Sequence, residues 1–426
     1  MKRNKTKQGK RIARNSVTGI LILLAASPFL TCISLTLRLF AKYWLRGGKR
    51  SFDFEHKQKR IGAGTMSDLM NEIEKIPFGR PTPGTIGELF GLVVDFIPSI
   101  LNTIPQTAGL LYPYPPVFEP VVIESRDGTP ICGLVALQDA DSPRPALLIV
   151  HGLFSSKNSY PIATLALHAF FEWGFNVMVI DLRNFGDSAR FSKAPTTWGY
   201  RESDDILAAS AFLASLKKVS TVGVLGISMG AASSLIAGAL SGLEGPINGG
   251  IVALHSYADS KSIIKYLTEQ PAGRLKTNLI RIIFKLMILL NTVCHGPRPV
   301  SDLRSYTRDI SSQYYEMRED EILRKASPLK HLPNTEVPCL VIHSQDDLIV
   351  PADHVERLAN AGANNPMVGF VINRTGGHAT YIYTNRKWLL DTLRTFFSSW
   401  SGNLNYDYTG RENDINIPGN LGNQDN

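Results

Sequence analysis

With 426 residues, 44% hydrophobic and 19% charged, the chain has room for one large domain with extensions or two ordinary ones, and its composition excludes a fibre or wholesale disorder. The net charge of +8 is uneven: residues 1–60 carry 15 Lys and Arg against only Asp53 and Glu55, a balance of +13, which leaves the rest at −5. That split argues against a nucleic-acid surface on the main domain, where phosphate binding needs clustered bases. The four cysteines (Cys32, Cys132, Cys294 and Cys339) show no CxxC spacing and indicate neither a zinc site nor a disulfide framework.

In chain order, the first 15 residues hold seven Lys and Arg and no acid, and residues 17–37 hold no charge at all. An uncharged run of that length matches the roughly 20 residues a helix needs to cross a hydrocarbon core. Arg38, Lys42 and Arg46 follow, with Tyr43 and Trp44 at interface depth. Residues 1–50 are expected to be a basic N-terminus with a single-pass membrane anchor. A cleaved signal peptide and an interfacial helix are the competing readings. Because both flanks are basic, the side of the membrane stays open. Residues 51–112 read as a linker, polar to about 84 and then apolar from 86 to 111, where Pro98 and Pro105 break the run into amphipathic helices.

From residue 113 short apolar runs alternate with helical stretches. Strands are predicted over 121–124 and 131–137, flanking the turn dipeptide Asp127-Gly128. Further strands are predicted over 146–150, 176–180, 219–225, 250–254, 339–342 and 367–372. Helices are predicted over 159–173, 205–216, 229–240, 352–361 and 386–400. Continuous apolar strands alternating with helices imply a mostly parallel, doubly wound sheet covered on both faces. Reactive groups in such a sheet belong at the carboxyl ends of its strands. Cys132 and Cys339 fall within strand-like runs as small buried hydrophobes.

At the end of the run Val222-Gly223-Val224-Leu225 stands Gly226-Ile227-Ser228-Met229-Gly230, followed by helix formers. This is G-x-S-x-G in a strand–turn–helix setting. The turn is too tight for a Cβ at the flanking positions, so the serine is raised above the sheet edge with its hydroxyl exposed. The Met229 N–H then points to where the oxyanion of a tetrahedral intermediate would form. Upstream, His151-Gly152-Leu153-Phe154 directly follows an apolar strand, and Gly152 lets the backbone turn so that the Leu153 N–H faces the same place. His151 itself reads as structural.

Together with Asp181-Leu182-Arg183-Asn184-Phe185-Gly186-Asp187-Ser188 after a strand, these segments resemble the α/β-hydrolase superfamily. Its serine aminopeptidase-like and monoglyceride-lipase-like branches are the nearest in pattern. Asn184 stands where those branches carry a glycine. The resemblance covers residues 113–400, and it implies the α/β-hydrolase fold with an inserted helical cap at about 256–335, joined here to an N-terminal membrane helix. It further implies the chain order serine, acid, histidine. His343-Ser344-Gln345-Asp346-Asp347-Leu348-Ile349-Val350-Pro351 resembles the family's acid segment and aligns the acid with Asp347, with Asp346 beside it as the other candidate. Of the histidines beyond the acid, His354 falls on the surface of a helix, whereas His378 follows Gly376-Gly377 in the loop where the family places its base. His255 and His343, at strand ends, read as packing residues.

The implied mechanism needs no cofactor and no metal: Ser228 attacks a carbonyl, His378 takes its proton, Asp347 supports the imidazolium, and the amides of Leu153 and Met229 hold the oxyanion. Residues 274–290 read as a basic amphipathic cap helix, too short and too charged to span a bilayer, whose apolar face suits an acyl pocket or lipid. The expected partners are therefore a small-molecule or lipid-like ester and membrane lipid, with no nucleic acid. An acyltransferase or peptidase of the same fold, and a non-catalytic binding protein, are the alternatives. The Asn-, Gly- and Asp-rich tail, 401–426, reads as disordered.

Overall fold

The computed structural model describes residues 65–79, 114–269 and 275–400, with backbone alone over 275–280. The expected anchor at 17–37, the apolar run at 86–111 and the tail at 401–426 lie outside the described residues. Among the described residues no helix is long and apolar enough to cross a membrane.

Eight strands form one sheet: β1 (Glu119–Glu124), β2 (Pro130–Ala136), β3 (Arg144–Val150), β4 (Asn176–Ile180), β5 (Val219–Ile227), β6 (Ile251–Leu254), β7 (Cys339–Ser344) and β8 (Val368–Asn373). Their spatial order is β1-β2-β4-β3-β5-β6-β7-β8. β1 and β2 are an antiparallel hairpin, β2 joins β4 antiparallel, and every later pairing is parallel. At the hairpin turn Gly128 takes φ 75°, the conformation its lack of a side chain permits.

The longer helices are α1 (Met66–Glu74), α2 (Tyr160–Phe171), α3 (Tyr200–Ser215), α4 (Met229–Ser241), α5 (Ser260–Glu269), α6 (Leu275–Cys294), α7 (Glu319–Lys325), α8 (Ala352–Gly362) and α9 (Arg386–Trp400). Period-2 side chains divide the core into two layers. Along β3, Leu148 and Val150 join Ile206 and Ala209 of α3 and Leu235 of α4 on one face, while Leu147 and Ile149 join Leu165 of α2 and Phe396 of α9 on the other. Both faces are therefore covered, which is why the central strands read as unbroken apolar runs.

The polar stretch expected to be a linker contains α1. Met66, Leu69 and Ile73 recur on one face and are buried in the second layer, against α9 and β8. The helix starts at a capping box: the Asp68 N–H donates to the Thr65 hydroxyl at 3.3 Å, and the Thr65 N–H donates to the Asp68 carboxylate at 2.9 Å. The insertion between β6 and β7 holds α5, α6, α7 and shorter helical turns. β3 lies between β4 and β5, so the sheet reverses its direction of growth there, and the crevice at the carboxyl ends of β3 and β5 is where such sheets bind ligands.

Candidate active site

Ser228 sits between the last residue of β5 and the first of α4, with φ 56° and ψ −117°. A non-glycine residue in that region carries backbone strain, and the neighbouring glycines explain how the turn is held. A Cβ on Gly226 would meet the Gly230 carbonyl oxygen at 2.4 Å, and one on Gly230 would meet the His151 carbonyl oxygen at 2.4 Å. The backbone is pinned as well: the Ser228 N–H donates to the Leu254 carbonyl at 2.8 Å. As the first residue of α4, Met229 has an amide with no acceptor inside the helix.

The loop after β3 lies directly against the serine, since a Cβ on Gly152 would come within 3.0 Å of the Ser228 Cβ and 3.6 Å of its Oγ. His151 is buried and structural: its Nε2 accepts the Leu182 N–H at 3.0 Å, leaving Nδ1–H to donate to the Gly152 carbonyl at 2.7 Å. It thereby ties the β3 loop to the segment after β4. In that segment Arg183, fully buried, is bound by Asp205 and Asp127, and Lys157 by Asp181 and Asp187. Asn184, at the position of a family glycine, has φ 67°. Asparagine tolerates that conformation best after glycine, and here its side chain also donates to Asn291 at 3.0 Å and to the Tyr306 hydroxyl at 2.9 Å, both in the insertion.

The acid and the histidine meet at the carboxyl ends of β7 and β8. His378 Nδ1 lies 2.9 Å from Asp347 Oδ2, whereas Asp346 accepts the Gly377 N–H at 2.9 Å and so fixes the loop that carries His378. Asp347 is the carboxylate on the imidazole. Its Oδ1 accepts the amides of Ile349 and Val350, both at 2.8 Å. Oδ2 is shared, because His255 Nδ1 also lies 2.9 Å from it. Burial opposes ionisation of Asp347, but the attraction to His378 when that ring is protonated and the hydrogen bonds from His255 and His378 outweigh it and hold the carboxyl well below the usual carboxylate range. An ionised carboxylate only accepts, so His378 carries its proton on Nδ1 and leaves Nε2 as the acceptor. Ser228, Leu153 and His378 stay partly exposed, whereas Asp347 is buried.

Of three further histidines, His255 and His354 stand differently from their expected roles and His343 does not. His255 hydrogen-bonds the acid as well as packing. His343 does pack, with its Nε2–H donating to the Val350 carbonyl at 3.0 Å and lying 3.9 Å from Asp347 Oδ2. His354 is buried rather than solvated, its Nδ1 accepting the Ala258 amide at 3.0 Å. None of these partners is near in sequence to His255 or His354, so no local pattern could have revealed them. The facing side-chain atoms of His255, Asp347 and His378 all lie within 4.8 Å of one another, a closeness that the two 2.9 Å hydrogen bonds to Oδ2 account for.

Burial lowers the pKa of His151, His255, His343 and His354, that of His343 to about 3. The unfolded chain takes up these protons near the ordinary 6.5, so the stability of the neutral rings is present above that pH and is lost as pH falls below it. His343 alone should cost about 2 kcal/mol of stability between pH 6.5 and 5. The depressed carboxyl of Asp347 adds to the loss only below its ordinary 3.8. Urea midpoints at pH 7.5 and 5 check this, and equal midpoints would contradict neutral buried rings.

Residues 147–391 match a family model described as "Alpha/beta hydrolase family", a span that contains Ser228, Asp347 and His378. The uncharacterized protein YqkD of Bacillus subtilis (strain 168) is 25% identical over 261 residues, which cover 61% of this chain and 72% of that protein. Among solved structures, the Pyrococcus furiosus esterase Pf2001 is similar at 18% identity and a TM-score of 0.48, over 67% of this chain and 93% of that one. The Pyrococcus horikoshii acylaminoacyl peptidase is similar at 18% identity and a TM-score of 0.43, over 68% of this chain and 43% of that one.

Proposed function

This chain belongs to the alpha/beta hydrolase family, and from that premise we propose that it is a membrane-associated serine hydrolase cleaving carboxylic esters of lipid-like or hydrophobic character. The observation that carries the reading is the 2.9 Å bond between His378 and Asp347, which stands at the same carboxyl edge of the parallel sheet as the serine on its left-handed elbow. A serine hydroxyl is a weak nucleophile until an oriented imidazole takes its proton. In this mechanism Nε2 of His378 receives the Ser228 proton as Oγ attacks the ester carbonyl. The amides of Leu153 and Met229 hold the oxyanion, and the imidazolium returns the proton to the leaving alcohol. Water then attacks the acyl-enzyme with the same histidine as base, releasing the acid and restoring Ser228.

The preference for apolar substrates is supported by the insertion. In α6 the exposed side chains Ile282, Leu286, Leu289 and Val293 recur every third or fourth residue, with Lys285 among them. On its other side Phe284 meets Phe154 of the β3 loop edge-on, their centroids 6.1 Å apart. An apolar stripe facing outward and an aromatic contact reaching the loop beside Ser228 suit a hydrophobic acyl chain arriving from a lipid surface. The uncharged run at 17–37 with its basic flanks supports the same location.

A fluorophosphonate probe should label the wild-type protein on the peptide containing Ser228. Across p-nitrophenyl esters from acetate to octanoate, kcat/KM should rise at least about tenfold, because each methylene buried is worth about 0.8 kcal/mol. Failure to label Ser228 would remove the enzyme reading, a flat chain-length series would remove the hydrophobic preference, and faster cleavage of a peptide panel would turn the assignment towards a peptidase. Co-sedimentation of the full chain with lipid vesicles tests the membrane location.

A further inference from the structure

Asp347 has two imidazoles on one oxygen where the proposed chemistry uses one. His255, at the end of β6, and His378, after β8, both place Nδ1 at 2.9 Å from Oδ2. Neither ring can accept from an ionised carboxylate, so both are donors. The consequence for His255 is specific: with its proton on Nδ1, its Nε2 is left buried without a hydrogen-bond partner. A protonated Nε2 would be a stranded donor in the interior, so the neutral Nδ1–H form is the one the surroundings favour. Burial lowers its pKa in the same sense. The backbone is committed to this placement too, for His255 holds φ 56°, and its ring lies 5.3 Å from that of Tyr381 and 5.0 Å from that of His343.

We propose, building on the Ser228–His378–Asp347 reading, that His255 is a positioning residue: a permanently neutral second donor that fixes the Asp347 carboxylate and draws off part of its charge, setting how basic His378 is. The charge that remains on Oδ2 stabilises the imidazolium of His378, and a second donor on the same oxygen weakens that stabilisation. The other ionisable groups facing this cluster are His343 on β7, Asp346 in the following loop, His354 on α8 and Tyr381 after the His378 loop. His343 donates to a backbone carbonyl, Asp346 is held by the Gly377 amide, and Tyr381 donates to the His343 carbonyl at 3.1 Å. His354 accepts the Ala258 amide. Among the described residues, only His255 shares the acid oxygen with His378 at hydrogen-bond distance.

The test is the pH dependence of kcat/KM on a p-nitrophenyl ester. His255→Phe keeps a flat ring and removes the donor. Charge then concentrates on Asp347, His378 holds its proton to higher pH, and the acid limb should move up by roughly half a unit or more. The carboxylate also loses one of its four donors, so kcat/KM on the plateau should fall about tenfold. His255→Asn carries an N–H on the same γ-carbon as the imidazole Nδ1 and tolerates the left-handed backbone, so it should restore both the limb and the plateau. His255→Ser, too short to reach the acid, stands in if the Phe variant does not fold. A purely structural histidine would lower stability and activity without moving the limb. An unmoved or lowered limb in a folded donor-less variant therefore overturns the proposal. If the wild type neither hydrolyses esters nor takes the fluorophosphonate, the underlying assignment of Ser228 has failed instead.

Discussion

Replacing Ser228 with alanine is expected to lower ester turnover about a millionfold, to the background rate, with the melting temperature unchanged or slightly higher. The substitution removes one oxygen and little else. The two backbone bonds that hold the elbow, from the Ser228 N–H to the Leu254 carbonyl at 2.8 Å and from the Ala232 N–H to the Ser228 carbonyl at 3.0 Å, do not involve the side chain. The backbone at φ 56° remains strained with alanine but not with glycine. Ser228→Gly should therefore be equally inactive and more stable by about 1 kcal/mol. Turnover and thermal melts of both variants check the pair. Activity within tenfold of wild type would dismiss Ser228 as nucleophile, and melting far below wild type in both would show that the hydroxyl holds the fold.

Exchanging Asp347 for asparagine should cost about 10⁴-fold in kcat, the loss known when a triad acid becomes an amide. Here the bonding explains both the loss and a second effect. The carboxylate takes two backbone N–H groups on Oδ1 and two imidazole N–H groups on Oδ2. An asparagine has one oxygen, so its NH₂ must face one of these donor pairs. The amides of Ile349 and Val350 cannot give up their hydrogens, whereas an imidazole can shift its proton. The NH₂ therefore turns to the histidines, which become Nε2–H tautomers. His378 then presents a donor to Ser228, which needs an acceptor. His255 gains an N–H at a buried nitrogen with no partner, costing roughly 1–3 kcal/mol of stability. Kinetics and urea unfolding of the variant test the two halves separately. Full activity would exclude Asp347 as the acid, and unchanged stability would exclude the forced tautomer of His255.

The sheet was legible in the sequence because its strands are buried on both faces. An unbroken run such as 146–150 has no other comfortable place, and the predicted strands lie within about two residues of those observed. The serine elbow was legible for a related reason: two glycines around a serine between strand and helix state a steric requirement that the clashes at Gly226 and Gly230 confirm. What stayed hidden depended on distant partners. α1 is nine residues in a polar stretch, and its face of Met66, Leu69 and Ile73 has meaning only once α9 and β8 lie opposite, although Thr65 and Asp68 spelled a capping box. α3 begins at Tyr200 rather than 205, because Glu202 turns back to accept the amides of Thr197 and Gly199 at 2.9 Å each. His255 and its acid are 92 residues apart, and periodicity carries no information over such a separation.

The four-donor setting of Asp347 also bears on what a displacement of the proposed base would leave behind. His378 follows Gly376 and Gly377 and is the partly exposed member of the pair. With its ring turned away, the carboxylate would still hold the N–H groups of His255, Ile349 and Val350, three donors that fix its rotamer. The buried charge would then never go unattended, and the acceptor for the returning imidazole would already be in place.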